Sequence, residues 1–232
     1  MLYPKNQSES LSDSLFKNPT SEYRGTPFWS WNCRLDKELL ARQIDCLQNM
    51  GFGGFHMHSR TGMATPYLSG EFMDLIRFCT DRAKDKKMLA WLYDEDRWPS
   101  GSAGGIVTKD PALRQRYLLF TPNRQDGGEL LAAYRVELDA DGCLARYEQL
   151  EDAPAGDGVW YAYRIICGDD PWFNNQAYVN TLDKKAVDAF IETTHEAYKK
   201  AVGEDFGGAV PAIFTDEPQF SRKSTLGFAF DK

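Results

Sequence analysis

The sequence lacks any long apolar run. No segment approaches the ~18 consecutive apolar residues of a membrane-spanning helix. The first residues, MLYPKNQSESLSDSLF, carry neither a basic n-region nor an apolar h-region, so no secretory signal is expected there. There is no CxxC pair. The five cysteines (Cys33, Cys46, Cys79, Cys143, Cys167) are scattered and odd in number. They read as reduced, buried or half-buried thiols, and the expected compartment is the cytoplasm. Basic clusters are missing too. Lys+Arg 27 against Asp+Glu 34 leaves a net charge of −7, which argues against nucleic acid or an anionic membrane as partner. No GxGxxG follows the first strand candidate, and the glycine-rich stretch 101–105 is not followed by GK[ST]. Neither common phosphate-binding loop is therefore expected.

Apolar and aromatic residues are plentiful, at 42% and 13%, and suffice for one large domain or two small ones. Residues 1–24 are polar and aperiodic and read as a loosely attached N-terminal arm. A strand-then-helix pattern follows. Phe28–Trp31 is a short aromatic strand. Asp36 is placed to cap a helix with Leu40, Ile44 and Leu47 on one face, and Gly51 to end it. Gly53–His58 is the second strand, and Ser69 caps a second helix carrying Phe72, Ile76, Cys79 and Ala83. Met88–Tyr93 is the third strand. From about Arg116 to Cys167 the pattern becomes β throughout, with a hairpin turn at Asp139–Gly142. One helix from Asp183 to Val202 and a fourth strand, Ala209–Phe214, complete the pattern.

Repeated strand–helix units imply a parallel sheet with helices outside. An open doubly wound sheet and a (β/α) barrel compete. Every strand carries its polar residues at its C-terminal end, where barrels place their active sites, which favours the barrel. Only about four units are present, whereas a closed barrel has eight strands and typically ~250 residues. The expected fold is thus an incomplete (β/α) TIM barrel with an antiparallel β insertion. Its parts are an arm (1–24), three units (25–115), the insertion (116–170), and the third helix with the fourth strand (171–232).

The strand ends supply Asn32, His56, His58, Arg60, Tyr93, Asp94, Glu95, Asp96, Arg97, Asp216 and Glu217, with Trp29, Trp31, Trp98 and Phe220 interleaved. A carboxylate-rich rim with indole rings suits a sugar. Carboxylates and Arg bond hydroxyls, and aromatic faces pack on the C–H face of the ring. Aromatic strand residues equally well serve as core. Glu217 follows an apolar strand and neighbours Asp216. Desolvation and a like charge both raise a carboxyl pKa, and a carboxylic acid kept protonated near neutrality can protonate a glycosidic oxygen. His56-x-His58 puts two imidazoles on one strand face, as metal ligands would be. The only other histidine, His195, lies within a helix, so hydrogen bonding is the preferred role and no metal ligand is assigned. Asp139-Ala140-Asp141-Gly142 resembles the start of a calcium loop, but its twelfth position is Leu150 rather than Glu.

Taken in order, FWSWN (28–32), GFGGFHMHSRTG (51–62), YLSGEFM (67–73), WLYDEDRWPSGSAGG (91–105) and FTDEP (214–218) resemble the alpha-L-rhamnosidase-like glycoside hydrolases of the family 106 type. The resemblance implies a TIM-barrel catalytic domain, exo-acting inverting hydrolysis of a plant-type or microbial glycan, and a calcium ion near the sugar. It also implies that Glu217 is a catalytic carboxylate, the general acid. Trp29, Trp31, Asn32, His56, His58, Arg60, Tyr93, Asp94, Glu95, Trp98 and Asp216 would line the sugar pocket. The family's second carboxylate has no counterpart here. Two other readings stand beside the glycosidase. One is a non-catalytic sugar-binding or remnant half-barrel. The other is a metal-dependent amidohydrolase-type barrel, whose HxH would close the first strand rather than the second. A carbohydrate is the expected ligand. The missing barrel half, or a second copy, is the expected cover for the open sheet.

Overall fold

The protein, seen in a computed structural model that describes Ser10 and residues 12–219, is a mixed α/β chain with two four-stranded sheets, one parallel and one antiparallel. The chain forms two compact units. Of the described residues, the first takes those up to 107 and 187–218; the second takes 108–186 and 219.

The strands of the first unit are β1 (Phe28–Trp31), β2 (Gly54–Ser59), β3 (Leu89–Tyr93) and β8 (Ile213–Phe214), all parallel and side by side in that order. Its helices are α1 (Asp13–Lys17), α2 (Lys37–Asn49), α3 (Gly70–Asp85) and α5 (His195–Val202), with α4 (Lys184–Thr193) leading into it. Local chemistry sets the helix starts. Asp36 accepts from the Leu39 N–H at 2.8 Å, and Ser69 accepts from the Phe72 N–H at 3.2 Å, each removing one unpaired donor of the first turn. Gly51 closes α2 at φ +88°, a conformation that favours glycine. Leu40 and Ile44 of α2, Phe72, Ile76 and Cys79 of α3 and Tyr198 of α5 bury against Phe55, Met57 and Leu92 on one face of the sheet.

Three expectations change in this unit. The arm is not loose among its described residues. The Ser21 hydroxyl donates to the Lys87 carbonyl, and at Gly25, the residue after the arm, the carbonyl accepts from the Gly53 N–H at 3.0 Å. A Cβ at Gly53 would lie 2.1 Å from the Ser21 carbonyl oxygen, so glycine is what admits the arm. The long helix breaks at Thr194, which leaves His195 as the first residue of α5. The fourth strand shrinks to Ile213–Phe214. Pro211 has no N–H to give a ladder, although the Ala90 and Leu92 N–H groups still donate to the Ala209 and Ala212 carbonyls.

The second unit holds β4 (Arg116–Thr121), β5 (Glu129–Leu138), β6 (Leu144–Leu150) and β7 (Val159–Ile166), antiparallel in the order β4-β7-β5-β6. Asp139 shapes the β5–β6 hairpin by accepting from the N–H groups of Asp141 and Cys143, and Gly142 takes φ +78°. Ala133, Val159, Tyr161 and Tyr163 form its core.

All five cysteines are free thiols. Cys79 and Cys167 are buried, whereas Cys33, Cys46 and Cys143 are exposed, contrary to expectation, because they sit on a loop, on the open side of α2 and in the hairpin. Among the described residues no helix is long and apolar enough to cross a membrane.

Candidate active site

Alternation along the strands sorts the rim residues. In β1, Trp29 and Trp31 point to the helix side, while Phe28 and Ser30 face the other way. Trp29 and Trp31 belong to the core among Leu40, Ile44, Phe55 and Phe72; the Trp29 indole donates to Gln43 Oε1 at 2.8 Å. Their sugar-lining role is therefore corrected to a packing role. Asn32, just past β1, is exposed, as is Arg60 past β2. Phe220 lies outside the described residues.

The opposite face of the sheet carries a histidine–aromatic layer. Phe28 registers with His56 and His56 with Trp91; Ser30 registers with His58, and Tyr93 with Phe214. The His56 ring stacks on Trp91 at 5.1 Å, with Nδ1 3.0 Å from the Thr26 carbonyl. His58 is buried and stacks on Tyr93 at 3.7 Å, with Nδ1 3.1 Å from the Ser59 carbonyl. That contact assigns the proton to Nδ1 and leaves Nε2 an acceptor, 3.8 Å from Asp216 Oδ2. Burial pushes the His58 imidazole down to about 4, so it is neutral at pH 7. The Tyr93 hydroxyl donates to Asp216 Oδ2 at 3.4 Å.

Asp216 and Glu217 part company. Asp216 is half-buried, and burial, followed by the Glu217 charge, raises its carboxyl above the ordinary range. Glu217 is exposed and accepts from the Trp98 indole N–H at 3.1 Å. The desolvation expected at Glu217 thus falls on its neighbour. Glu217 adopts φ +42°, a left-handed backbone that costs a non-glycine residue about 1–3 kcal/mol and persists where the surroundings enforce it.

Asp94 and Glu95 differ most from expectation. Both are fully buried. Asp94 accepts from the Ser100 hydroxyl at 2.6 Å and the Thr215 hydroxyl at 2.7 Å, and lies 3.1 Å from His195 Nε2. Glu95 accepts backbone N–H groups from Asp96, Gly101, Ser102, Ala103 and Gly104. It therefore anchors the 101–104 loop. Burial pushes its carboxyl up to about 7 against the opposing pull of those N–H donors. Neither carboxylate lines an open pocket, because protein donors take their oxygens.

For the calcium ion implied by the resemblance, the described side chains supply no ready acidic cluster. No group of three or more His, Cys, Asp or Glu side chains gathers as an ion site among the described residues. The geometry instead joins Tyr93, His58, Asp216, Glu217 and Trp98 at the C-terminal ends of β2, β3 and β8. Ser100, Thr215 and His195 carry no sequence signal of a place beside Asp94. They are ordinary loop and helix residues whose partners lie 6, 121 and 101 positions away.

No family model and no curated protein matches this chain. Among solved structures, a rhamnosidase from Novosphingobium sp. PP1Y is similar at 18% identity and a TM-score of 0.40. The match covers 56% of this chain and 17% of that enzyme's chain.

Proposed function

We propose that this chain is part of the catalytic domain of a glycoside hydrolase, alpha-L-rhamnosidase-like and inverting, with its four parallel strands forming half of a TIM barrel. One observation carries the reading. Two adjacent carboxylates stand at the strand ends in different surroundings, Asp216 half-buried beside Tyr93 and His58, and Glu217 exposed on the Trp98 indole. A carboxyl raised by burial, an exposed carboxylate and an indole beside it are groups that can bond sugar hydroxyls and exchange a proton with a glycosidic oxygen.

In this reading Glu217 keeps the acid role that the family resemblance implies, takes up a proton from solvent and delivers it to the glycosidic oxygen as the bond to the anomeric carbon breaks; the leaving group departs as an alcohol. Trp98 holds the Glu217 carboxylate. Asp216, Tyr93 and His58 Nε2 bond sugar hydroxyls. A water activated by a second carboxylate attacks the opposite face, which gives inversion and needs the two carboxyls ~6.5–9.5 Å apart. Asp94 and Glu95 do not qualify as that base, since their oxygens are occupied by protein donors. The base is assigned to the strands that would close the barrel.

The occupied carboxylates also favour a second reading, a non-catalytic sugar-binding half-barrel. Kinetics on a polypeptide carrying the closed barrel separates the two. Glu217→Gln is expected to lower turnover of substrates with poor leaving groups by ~10²–10⁴-fold and to affect activated aryl glycosides less. Equal losses on both would argue against the acid role. Residues 1–232 alone are expected to bind a sugar and hydrolyse no rhamnoside.

A further inference from the structure

A closed ring of hydrogen bonds joins Asp94, Ser100, Thr215 and Asp216 just before the candidate acid, and Asp94 is its hub. One Asp94 oxygen accepts from Ser100, and the other accepts from Thr215 and faces His195. Ser100 also grips the next residue of the β8 exit, since its hydroxyl accepts the Asp216 N–H at 2.9 Å and its own N–H donates to the Asp216 carbonyl at 2.9 Å. Residues 215 and 216 are thereby held from both sides. The following residue, Glu217, takes its left-handed φ and returns to Trp98, two positions before Ser100.

We infer that Asp94 is a positioning residue. Through the Ser100 and Thr215 hydroxyls it fixes the backbone entering Glu217 and so aims the Glu217 carboxylate at the Trp98 indole. His195 makes the first turn of α5 the third support. The unusual backbone of Glu217 fits this assignment. A left-handed non-glycine residue needs its neighbours constrained, and the constraint found here converges on one buried carboxylate. The site reading rests on the glycosidase proposal, but the coupling from Asp94 to Glu217 can be read without any sugar.

The reporter is the Trp98 indole N–H in a nitrogen–proton correlation spectrum of the 232-residue chain, assigned through Trp98→Phe. Glu217→Ala gives its position when the bond is lost. Ser100→Ala and Thr215→Val are expected to move the resonance more than halfway to that position while the rest of the spectrum stays native. Ser100→Thr, which keeps a hydroxyl, is expected to restore it. Asp94→Asn should move the resonance at least as far as either hydroxyl variant. If that variant fails to fold, the hydroxyl variants decide. A staple with no bearing on Glu217 would lower stability and leave the resonance where it was. Folded Ser100→Ala and Thr215→Val chains with an unmoved Trp98 signal would overturn the inference. A signal that obeys the pattern in a chain that never responds to a sugar would keep the positioning role and sink the glycosidase reading.

Discussion

Glu95 has five backbone N–H donors around a carboxyl that burial raises to about 7 from an ordinary 4.5. A raised folded-state value means that the native state holds the proton more tightly than the unfolded chain does. Stability is therefore full below about 4.5 and is lost as pH rises through about 7. The loss at this site is on the order of 3 kcal/mol, taking ~1.4 kcal/mol for each unit. The raised Asp216 carboxyl adds in the same direction. His58, pushed down to about 4, shifts stability the other way between about pH 4 and 6.5, so the Glu95 effect is read as a difference: the denaturation midpoint relative to that of Glu95→Gln should fall from pH 4 to pH 8. A relative midpoint that climbs over that range would mean that the N–H donors outweigh burial. The sequence shows that the end of β3 is rich in carboxylates, but not that two of them turn inward. Their donors come from a loop that folds back only in three dimensions. The same holds for Trp29 and Trp31. Their alternation is legible, but which phase meets the helices is decided by Leu40, Ile44 and Phe72.

At the scale of elements, short-range chemistry was the most legible. The caps at Asp36 and Ser69 and the turn at Asp139–Gly142 follow from side-chain bonds within four residues. Asp36→Ala is expected to lower stability by about 1 kcal/mol, measured by urea denaturation, whereas no change would show the first turn of α2 to be held by packing alone. Gly54→Ala should be worse. Its Cβ would stand 2.2 Å from the Leu89 carbonyl oxygen, across the β2–β3 ladder. Overpacking of this kind costs about 1–3 kcal/mol or more, and an unchanged midpoint would contradict the close approach of those strands. Less legible were the break at Thr194, which has no proline or glycine to mark it, and the shortening of β8. Apolar character continues through Val210-Pro211-Ala212, but a proline removes the donor that a ladder needs.

At the scale of the whole molecule, a parallel sheet of four strands was legible from repeated strand–helix units, as was the antiparallel insertion, whereas the order β1-β2-β3-β8 comes from the pairing itself. What the repeat count leaves open is whether the sheet closes. Its two edges are β1 and β8, and Phe28 on the face away from the helices is 55% exposed. Exposed edges and apolar faces of this kind pair with other chains. The 232-residue chain is therefore expected to self-associate in size-exclusion chromatography, and a co-expressed closing half should suppress that association. A monodisperse monomer at all concentrations would speak against an open barrel half.

We propose that the strand-end cluster of Tyr93, His58, Asp216, Glu217 and Trp98 is a sugar site. Titration of the isotope-labelled 232-residue chain with L-rhamnose, followed by nitrogen–proton correlation spectra, tests it most directly. Shifts should concentrate on the Trp98 indole and on the amides of residues 58, 93, 216 and 217, and should vanish in Trp98→Ala. Shifts that map to other residues, or a spectrum that never changes while a panel of other monosaccharides is equally silent, would contradict the account.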